Sequence, residues 1–426
     1  EGSCTAWLST IGPTAGLDPE SYVHSKYIVI WACNSISTNL HHWAIVNDAK
    51  KKGAKVVVID SYKSRTAKEA DWHICPKPGT DGALAVSILN YIINNNLVDN
   101  EYVSNYTNGF DELKNHVQGK DSSWASEITG IPAEQIEKLA SEMSTQQPVG
   151  IRIGVALERH NGGGQTIRAV TCIPALTGAW KHVGGGITQF PVWEHPYKFD
   201  VICRPDWIPK GTRVVNALQI GRALLGENLD KNIPIKSMMC WNANPVTQAP
   251  ETEKIIKGLE RDDLFLVSAD TESYADILLP ASMGAEHIDM ILSWGHLYLT
   301  YNEKCVEPPG EAIPNYEIFR RLAKLMGYED EQFLWSDEEC LENYVDWAAP
   351  ASEGITLDYL KKNGFARLNV GCKDTRAPHK NGNFPTASGK CEFLLKDAKN
   401  FVAGPFRQMY DDYQPGEDLP ELPDYT

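Results

Sequence analysis

Two aspartates lie at positions where a carboxylate could bind a ligand, one directly after an apolar run and one at the end of a short motif. Asp60 ends the apolar run VVVI, and Asp81 closes the tetrapeptide PGTD. An ionised carboxylate accepts two parallel N–H bonds, which suits the paired N1–H and N2–H₂ donors on the edge of guanine. The alternative for either residue alone is an ordinary turn aspartate at the end of a strand.

A second set of polar residues follows the first apolar run of the chain. Its members have amide, hydroxyl or imidazole groups that can donate to a pyrophosphate, helped by free backbone N–H groups: Asn34, Ser37, Thr38 and His41. Capping of a helix by Ser or Thr is the alternative, and it is compatible with anion binding.

The elements that must position these residues form a βαβ pattern. The apolar runs 27–33 and 56–59 flank a helical stretch, which predicts two adjacent parallel strands. A loop after such a strand delivers an anion to a helix N-terminus. No GxGxxG is present, so the nicotinamide dinucleotide fingerprint is absent.

Two later stretches repeat the strand–loop–helix arrangement. The run PVGIRIGVALERH leads into the glycines 162–164 and a predicted helix over 165–176, again an anion-receiving pattern. Further on, Trp241 to Asn244 and Pro245 precede a helix and the strand LFLVSAD, which ends at Asp270. The stretches 27–60 and 238–270 are therefore a weak internal repeat.

These patterns predict an α/β fold with two doubly wound, Rossmann-like parallel-sheet units and additional α+β connector segments. We expect a first dinucleotide-binding domain over 1–203 and a second α/β unit over 204–300. A helical or irregular segment with a C-terminal linker is expected over 301–426.

Composition narrows the class of protein. Apolar residues make up 42% and charged residues 23%, as in soluble globular proteins, and no apolar run is long enough for a membrane helix. The formal charge of −16 argues against non-specific nucleic-acid binding. The ten cysteines include no C-x-x-C, so the chain offers no clustered iron–sulfur or zinc motif. Composition indicates no cellular location.

The ordered motifs resemble the DMSO reductase family of molybdenum or tungsten enzymes, which carry molybdopterin guanine dinucleotide. The matching residues of the first half are Trp31, Asn34, Ile59, Asp60, Thr66, Ala67, Ala70, Asp71, Pro78, Gly79, Thr80, Asp81, Ala83 and Leu84. A second pattern matches at Gly154, Arg159, His160, Gly163, Arg168 and Ala169, and YADILLPA (274–281) is a third signature. The resemblance covers nearly the whole chain.

The resemblance implies a cofactor and roles for particular residues. The cofactor is bis-molybdopterin guanine dinucleotide with Mo or W, and Cys4 in GSCTAW is the implied metal ligand, since a thiolate suits this metal. An ordinary cysteine is the alternative. Asp81 is implied to bind guanine and Asp60 to lie near ribose or phosphate. Arg159 and His160 are implied to approach the pterin and, with Cys4, to be the catalytic residues. The other implied cofactor contacts are Trp31, Pro78, Gly79, Gly154, Gly163, Asn244, Pro245 and Asp270.

The implied protein is an oxidoreductase catalytic subunit, or its central part, which performs two-electron or oxygen-atom-transfer chemistry on a small-molecule substrate. An iron–sulfur electron-transfer subunit is the implied partner. The family's N-terminal iron–sulfur segment and C-terminal barrel-like domain are expected to be absent from this sequence.

Two alternatives stay open. One is a metal-free scaffold on the same fold, such as the large iron–sulfur subunit of respiratory complex I, and the other is a non-redox hydratase on the same cofactor. Ala32 stands where the family usually has Gly, and Tyr62 where it often has Arg. These departures mildly favour the scaffold, whereas Asn34 and the PGTD motif favour cofactor binding.

Overall fold

A computed structural model describes residues 2–227, 233–268 and 272–394. Within these ranges the strands are β1 (Tyr27–Trp31), β2 (Lys55–Ile59), β3 (Trp72–Ile74), β4 (Thr107–Asn108), β5 (Val149–Ile153), β6 (Gly186–Thr188), β7 (Ser237–Cys240), β8 (Phe265–Ser268), β9 (Ile277–Leu278), β10 (Asp289–Ile291), β11 (Tyr298–Asn302), β12 (Phe365–Arg367) and β13 (Cys391–Glu392).

The α-helices of the same ranges are α1 (Gly2–Ile11), α2 (Ser35–Thr38), α3 (Leu40–Lys51), α4 (Arg65–Glu69), α5 (Asp81–Asn94), α6 (Asn100–Tyr106), α7 (Phe110–His116), α8 (Ser122–Thr129), α9 (Ala133–Thr145), α10 (Gly163–Leu176), α11 (Phe199–Cys203), α12 (Ile220–Leu224), α13 (Pro245–Gln248), α14 (Thr252–Leu259), α15 (Asn315–Met326), α16 (Asp337–Tyr344) and α17 (Leu357–Asn363). None of them is both long and apolar enough to cross a membrane.

A five-stranded parallel sheet carries the predicted βαβ unit. Its strand order is β3-β2-β1-β5-β6, with β1 paired in register to β2 on one side and to β5 on the other. From β1 the chain first adds strands on one side of the sheet and then, from β5 on, on the other side. In doubly wound folds such a switch point leaves a crevice at the carboxyl ends of the two central strands. The predicted parallel-sheet α/β architecture is confirmed for this sheet.

Both faces of this sheet are covered, which explains why β1 is apolar and buried at every position. One face carries a large core that includes the buried sides of α5, α9 and α10. The other face packs Ile28 and Ile30 against Val46 and Ala49 of α3 and against Tyr22 of a 3₁₀ turn.

The second predicted unit is present as a smaller parallel sheet with the order β7-β8-β9. A small apolar core involving α12 and α14 supports one face of it. Within the described ranges no strand pairs with the far side of β7, so a doubly wound order here stays a prediction. Asp270 lies outside the described residues.

A third sheet is antiparallel, with the order β10-β11-β12. It includes strands from both sides of position 300, where the sequence predicted a boundary. It shares a core with α16 and α17. Arg367 of β12 attaches this sheet to the segment before β1, since its guanidinium donates to Asp18 at 2.6 Å and to Glu20 at 2.7 Å. The predicted domain boundaries remain predictions.

Candidate cofactor site

The carboxyl edge of the five-stranded sheet brings together residues that are far apart in sequence. Trp31 ends β1, Asp60 follows β2, and the loop after β3 leads through Pro78 and Gly79 to Asp81, the first residue of α5. Parallel strands end at one edge, so these side chains share one side of the molecule. A Cβ added at Gly79 would lie 3.5 Å from Nδ1 of His160, which places the PGTD loop against the loop that follows β5.

Asp81 is held in position by an indole. The fully buried Trp31 donates from Nε1 to Oδ1 of Asp81 at 2.7 Å. Burial raises the pKa of the half-buried Asp81, while the Trp31 bond and the nearby His160 oppose that shift. Trp31, predicted to contact the cofactor, therefore orients a carboxylate whose charge is poorly solvated.

Asp60 occupies the neighbouring strand end. Its backbone carbonyl contacts Nε2 of His73 at 3.0 Å, and Tyr62 N donates to its Oδ1 at 3.4 Å. Burial raises the pKa of this half-buried carboxyl as well. The Asp60 charge contributes to the raised pKa of Asp81, so the two carboxylates lie close enough to repel each other.

The loop after β1 is fixed by a threonine that sequence reasoning gave no role beyond a motif match. Buried Thr66 donates to Oδ1 of Asn34 at 2.8 Å and accepts from Ile36 N at 3.0 Å. Asn34 Nδ2 points towards the Tyr62 hydroxyl at 3.4 Å. Because Oδ1 of Asn34 accepts from Thr66, its Nδ2 amide group points away from Thr66. At position 62 the family often has an Arg, and Tyr62 provides a hydroxyl there instead.

The other predicted site residues of this stretch, Ser37, Thr38 and His41, are exposed. Ser37 and Thr38 belong to the four-residue helix α2, and Thr38 donates to the Asn34 carbonyl at 3.0 Å. His41 lies in the first turn of α3. The cap of α3 is Asn39, whose side chain accepts from His42 N at 3.1 Å, so neither Ser37 nor Thr38 caps this helix.

Two predicted site glycines allow chain segments to pack closely. A Cβ at Gly154 would lie 1.9 Å from the Ala32 carbonyl oxygen, and one at Gly163 would lie 2.5 Å from the Leu157 carbonyl oxygen. Gly154 N also donates to the Trp31 carbonyl at 2.9 Å. Ala32 itself has a φ of +51°, a conformation that glycine adopts at lower cost. Gly154 therefore lets the loops after β1 and β5 meet, and Gly163 lets the segment after β5 fold back on itself.

Cys4 and the Arg159–His160 pair are brought to the same region through Glu158. Ser3 N at the start of α1 donates to Glu158 Oε2 at 2.6 Å, and Gln189 at the end of β6 donates to Ser3 Oγ at 3.0 Å. The half-buried Cys4 is therefore part of a helix that contacts the segment after β5. Arg159 and His160 are exposed on the adjoining loop. The contact between Ser3 and Glu158 has no sequence signal, because 155 residues separate the partners.

The second-half residues have a local structural role. Asn244 Oδ1 accepts from Thr247 N at 3.3 Å and so caps α13, which begins at Pro245. Both side chains are half-buried, and the preceding Trp241 is 51% exposed and packs edge-on against Phe319 at 5.0 Å. The Asn-Pro loop thus resembles the first-half loop in position after a strand.

The model of a family described as molybdopterin oxidoreductase matches residues 16–325. The chain is 38% identical over 424 residues to the probable oxidoreductase YoaE of Bacillus subtilis, covering 98% of this chain and 59% of that protein. It is 27% identical to the dimethyl sulfoxide reductase DmsA of Escherichia coli, covering 91% of this chain and 54% of that one.

Among solved structures, acetylene hydratase from Pelobacter acetylenicus superposes with a TM-score of 0.72 and 25% identity, covering 92% of this chain and 58% of that chain. The chain thus spans somewhat more than half the length of these relatives. Motifs, fold and comparisons agree, and the chain belongs to the molybdopterin oxidoreductase family.

Proposed function

We propose that this chain holds bis-molybdopterin guanine dinucleotide along the carboxyl edge of its parallel sheets, as part of a catalytic subunit that performs two-electron or oxygen-atom-transfer chemistry. The observation that carries the proposal is Asp81, whose carboxylate is held by Trp31 at the strand-end crevice of a family member. A small molecule is the proposed substrate, and an iron–sulfur subunit is the proposed electron partner.

The residues of the crevice fit such a group. Asp81 uses Oδ1 to accept from Trp31, so its carboxylate is fixed and has remaining acceptor capacity for the paired donors of guanine. Its poor solvation favours a ligand that supplies N–H bonds to the charged form. The loops after β1 and β5 approach each other closely at Gly154, which supports one binding surface shared by both loops.

Each residue around the crevice has a defined task in this proposal. Asn34, oriented by Thr66, donates its amide to a phosphate oxygen, and Asp60 lies at the ribose or phosphate side. Exposed Arg159 and His160 donate to the pterin end. The bound group supplies the redox-active metal, and the chain binds, orients and shields it.

The metal would take few ligands from the protein. Among the described residues no group of three or more His, Cys, Asp or Glu side chains could hold a metal ion. Cys4 is the protein ligand we propose, and the contact of its neighbour Ser3 with Glu158, beside Arg159 and His160, supports this role. A single thiolate suits a metal whose other ligands belong to the cofactor.

The test is elemental analysis for molybdenum and tungsten, together with pterin release, on full-length protein purified without air. We expect stoichiometric metal and pterin. A folded protein that contains neither after expression in a host that makes the cofactor would contradict the proposal and support the metal-free scaffold.

A non-redox hydratase is a second candidate, favoured by the likeness to acetylene hydratase. The two functions differ in whether turnover moves electrons. Product formation that depends on an added electron donor or acceptor supports the oxidoreductase, whereas turnover of the loaded enzyme without either supports the hydratase.

A further inference from the structure

Arg152 is a partly buried cation that the proposed site has not used. It is the fourth residue of β5 and pairs in register with Ile30 of β1 and Thr188 of β6. Residues in register on neighbouring parallel strands share a face, so Arg152 lies on the face that α3 and Tyr22 cover. It is two residues before Gly154, at the switch point of the sheet.

Arg152 lacks a counter-charge within the described residues. Its Nε is buried with no hydrogen-bond acceptor, and none of the ion pairs found between described residues includes it. By contrast, the similarly shielded Arg376 pairs with Glu194 at 2.7 Å. A partly shielded guanidinium without a partner is poorly stabilised, so a ligand or an ion beside it would be favourable.

His42 provides a second polar atom without a partner in the same region. It is only 2% exposed, its Nε2 is buried and without a partner among the described residues, and its Nδ1 lies 3.0 Å from Ser35 Oγ. Burial lowers the pKa of His42 to about 3, and the Arg152 charge acts in the same direction. His42 is therefore neutral, and if Ser35 donates to Nδ1, the proton on Nε2–H is available as a donor.

We propose that Arg152 and His42 form an anion subsite beneath the first strand-end loop, and that it takes a phosphate-type oxyanion. A guanidinium and an imidazole N–H are both donors, and the guanidinium fork matches the geometry of phosphate oxygens. Ser35 links His42 to the Asn34 loop, where the proposed cofactor phosphates lie. The anion is either the pyrophosphate of the cofactor or a free oxyanion. Only the first of these two sources rests on the proposed function.

The experiment measures binding of inorganic pyrophosphate, orthophosphate and GDP to cofactor-free protein by calorimetry. We expect Arg152→Met to weaken pyrophosphate binding roughly tenfold or more, Arg152→Lys to restore part of it, and His42→Phe to weaken it less. Arg204→Met is the matched control, since Arg204 is a partly shielded arginine paired with Asp206 at 2.6 Å, and we expect unchanged affinity.

Stability without ligand distinguishes a binding role from a structural one. If Arg152 serves a ligand, Arg152→Met should leave the melting temperature of the ligand-free protein unchanged or raise it, because an unpaired charge has been removed. Pyrophosphate should raise the melting temperature of the wild type and have a smaller effect on the variant.

The relative affinities for GDP and pyrophosphate distinguish the two sources of the anion. Binding of GDP much tighter than that of pyrophosphate, with both reduced in Arg152→Met, assigns the subsite to the dinucleotide, while equal affinities assign it to a free oxyanion. Absence of anion binding by the wild type, or equal binding by wild type and Arg152→Met, overturns the proposal. If either of these two results is obtained but the purified protein contains stoichiometric metal and pterin, the anion subsite is wrong and the proposed function is still supported.

Discussion

At the scale of single residues, the bond between Trp31 and Asp81 determines what the PGTD motif can do. The two residues are 50 positions apart in sequence, their bond is 2.7 Å long, and the indole is fully buried. The carboxylate is consequently presented in one orientation before any ligand arrives, which reduces the ordering cost of binding.

We predict that Asp81→Asn sharply reduces cofactor retention. The amide keeps an oxygen for Trp31 but replaces a charged acceptor, and two charge-assisted bonds correspond to a loss of roughly a hundredfold or more in affinity. Pterin and metal content of the purified full-length variant measures this. Asp48→Asn, at an exposed ion pair with Lys51, should retain the wild-type content. Equal content in both variants would remove Asp81 from the guanine site.

The raised pKa of Asp81 makes a separate prediction about cofactor-free protein. Between the ordinary value of 3.8 and the raised one, the folded state binds more protons than the unfolded state, so this group lowers the free energy of unfolding as pH rises through that window. Asp81→Asn removes the titration. Urea unfolding should therefore show the variant gaining stability relative to wild type as pH increases, and a pH-independent difference would contradict the assignment.

At the scale of elements, the crevice depends on two loops meeting at Ala32 and Gly154. We predict that Gly154→Ala costs about 2 kcal/mol or more, because its Cβ would lie 1.9 Å from a backbone oxygen that cannot rotate away. Chemical denaturation measures the loss. Gly284→Ala is the control, since a Cβ there meets nothing within 4 Å, and it should change stability little. Comparable stability of the two variants would mean that the loops separate easily.

The attachment of the antiparallel sheet is a second element-scale feature. Arg367 pairs with Asp18, which is 1% exposed, and with Glu20. We predict that Arg367→Ala destabilises the protein by about 3 kcal/mol, because the Asp18 carboxylate would remain buried with no cation beside it. Arg321→Ala breaks only an exposed pair with Glu317 and should cost about 0.5 kcal/mol or less. A similar small loss in Arg367→Ala would show that the sheet is held by its apolar core instead.

At the scale of the whole molecule, the presence of two parallel sheets predicts how many dinucleotides are bound per metal atom. Each presents a strand, an Asn-containing loop and a helix, with Asn34 in the first and Asn244 in the second. If each unit binds one dinucleotide, acid hydrolysis of full-length protein should release two GMP per metal atom. A ratio of one would restrict dinucleotide binding to a single unit and would contradict the bis form.

The sequence by itself determined the family and the parallel strands around β1. Apolar strands at β1 and β2 and the spacing of the PGTD and YADILLPA motifs are local properties, and local patterns are readable without contacts. The strand-end location of Asn34, Asp60 and Asp81 also follows from the alternation of strands and helices, and α5 begins at the predicted Asp81.

Only the tertiary structure decided which partners those residues have. Trp31 holds Asp81, Thr66 orients Asn34, and Glu158 contacts the helix of Cys4. Arg152 and His42 resemble ordinary strand and helix residues in sequence, and their missing partners become visible only when the face that they share is packed. The physical reason is that hydrogen bonding and burial depend on distances between segments far apart in the chain, whereas sequence patterns report only the periodicity within each segment.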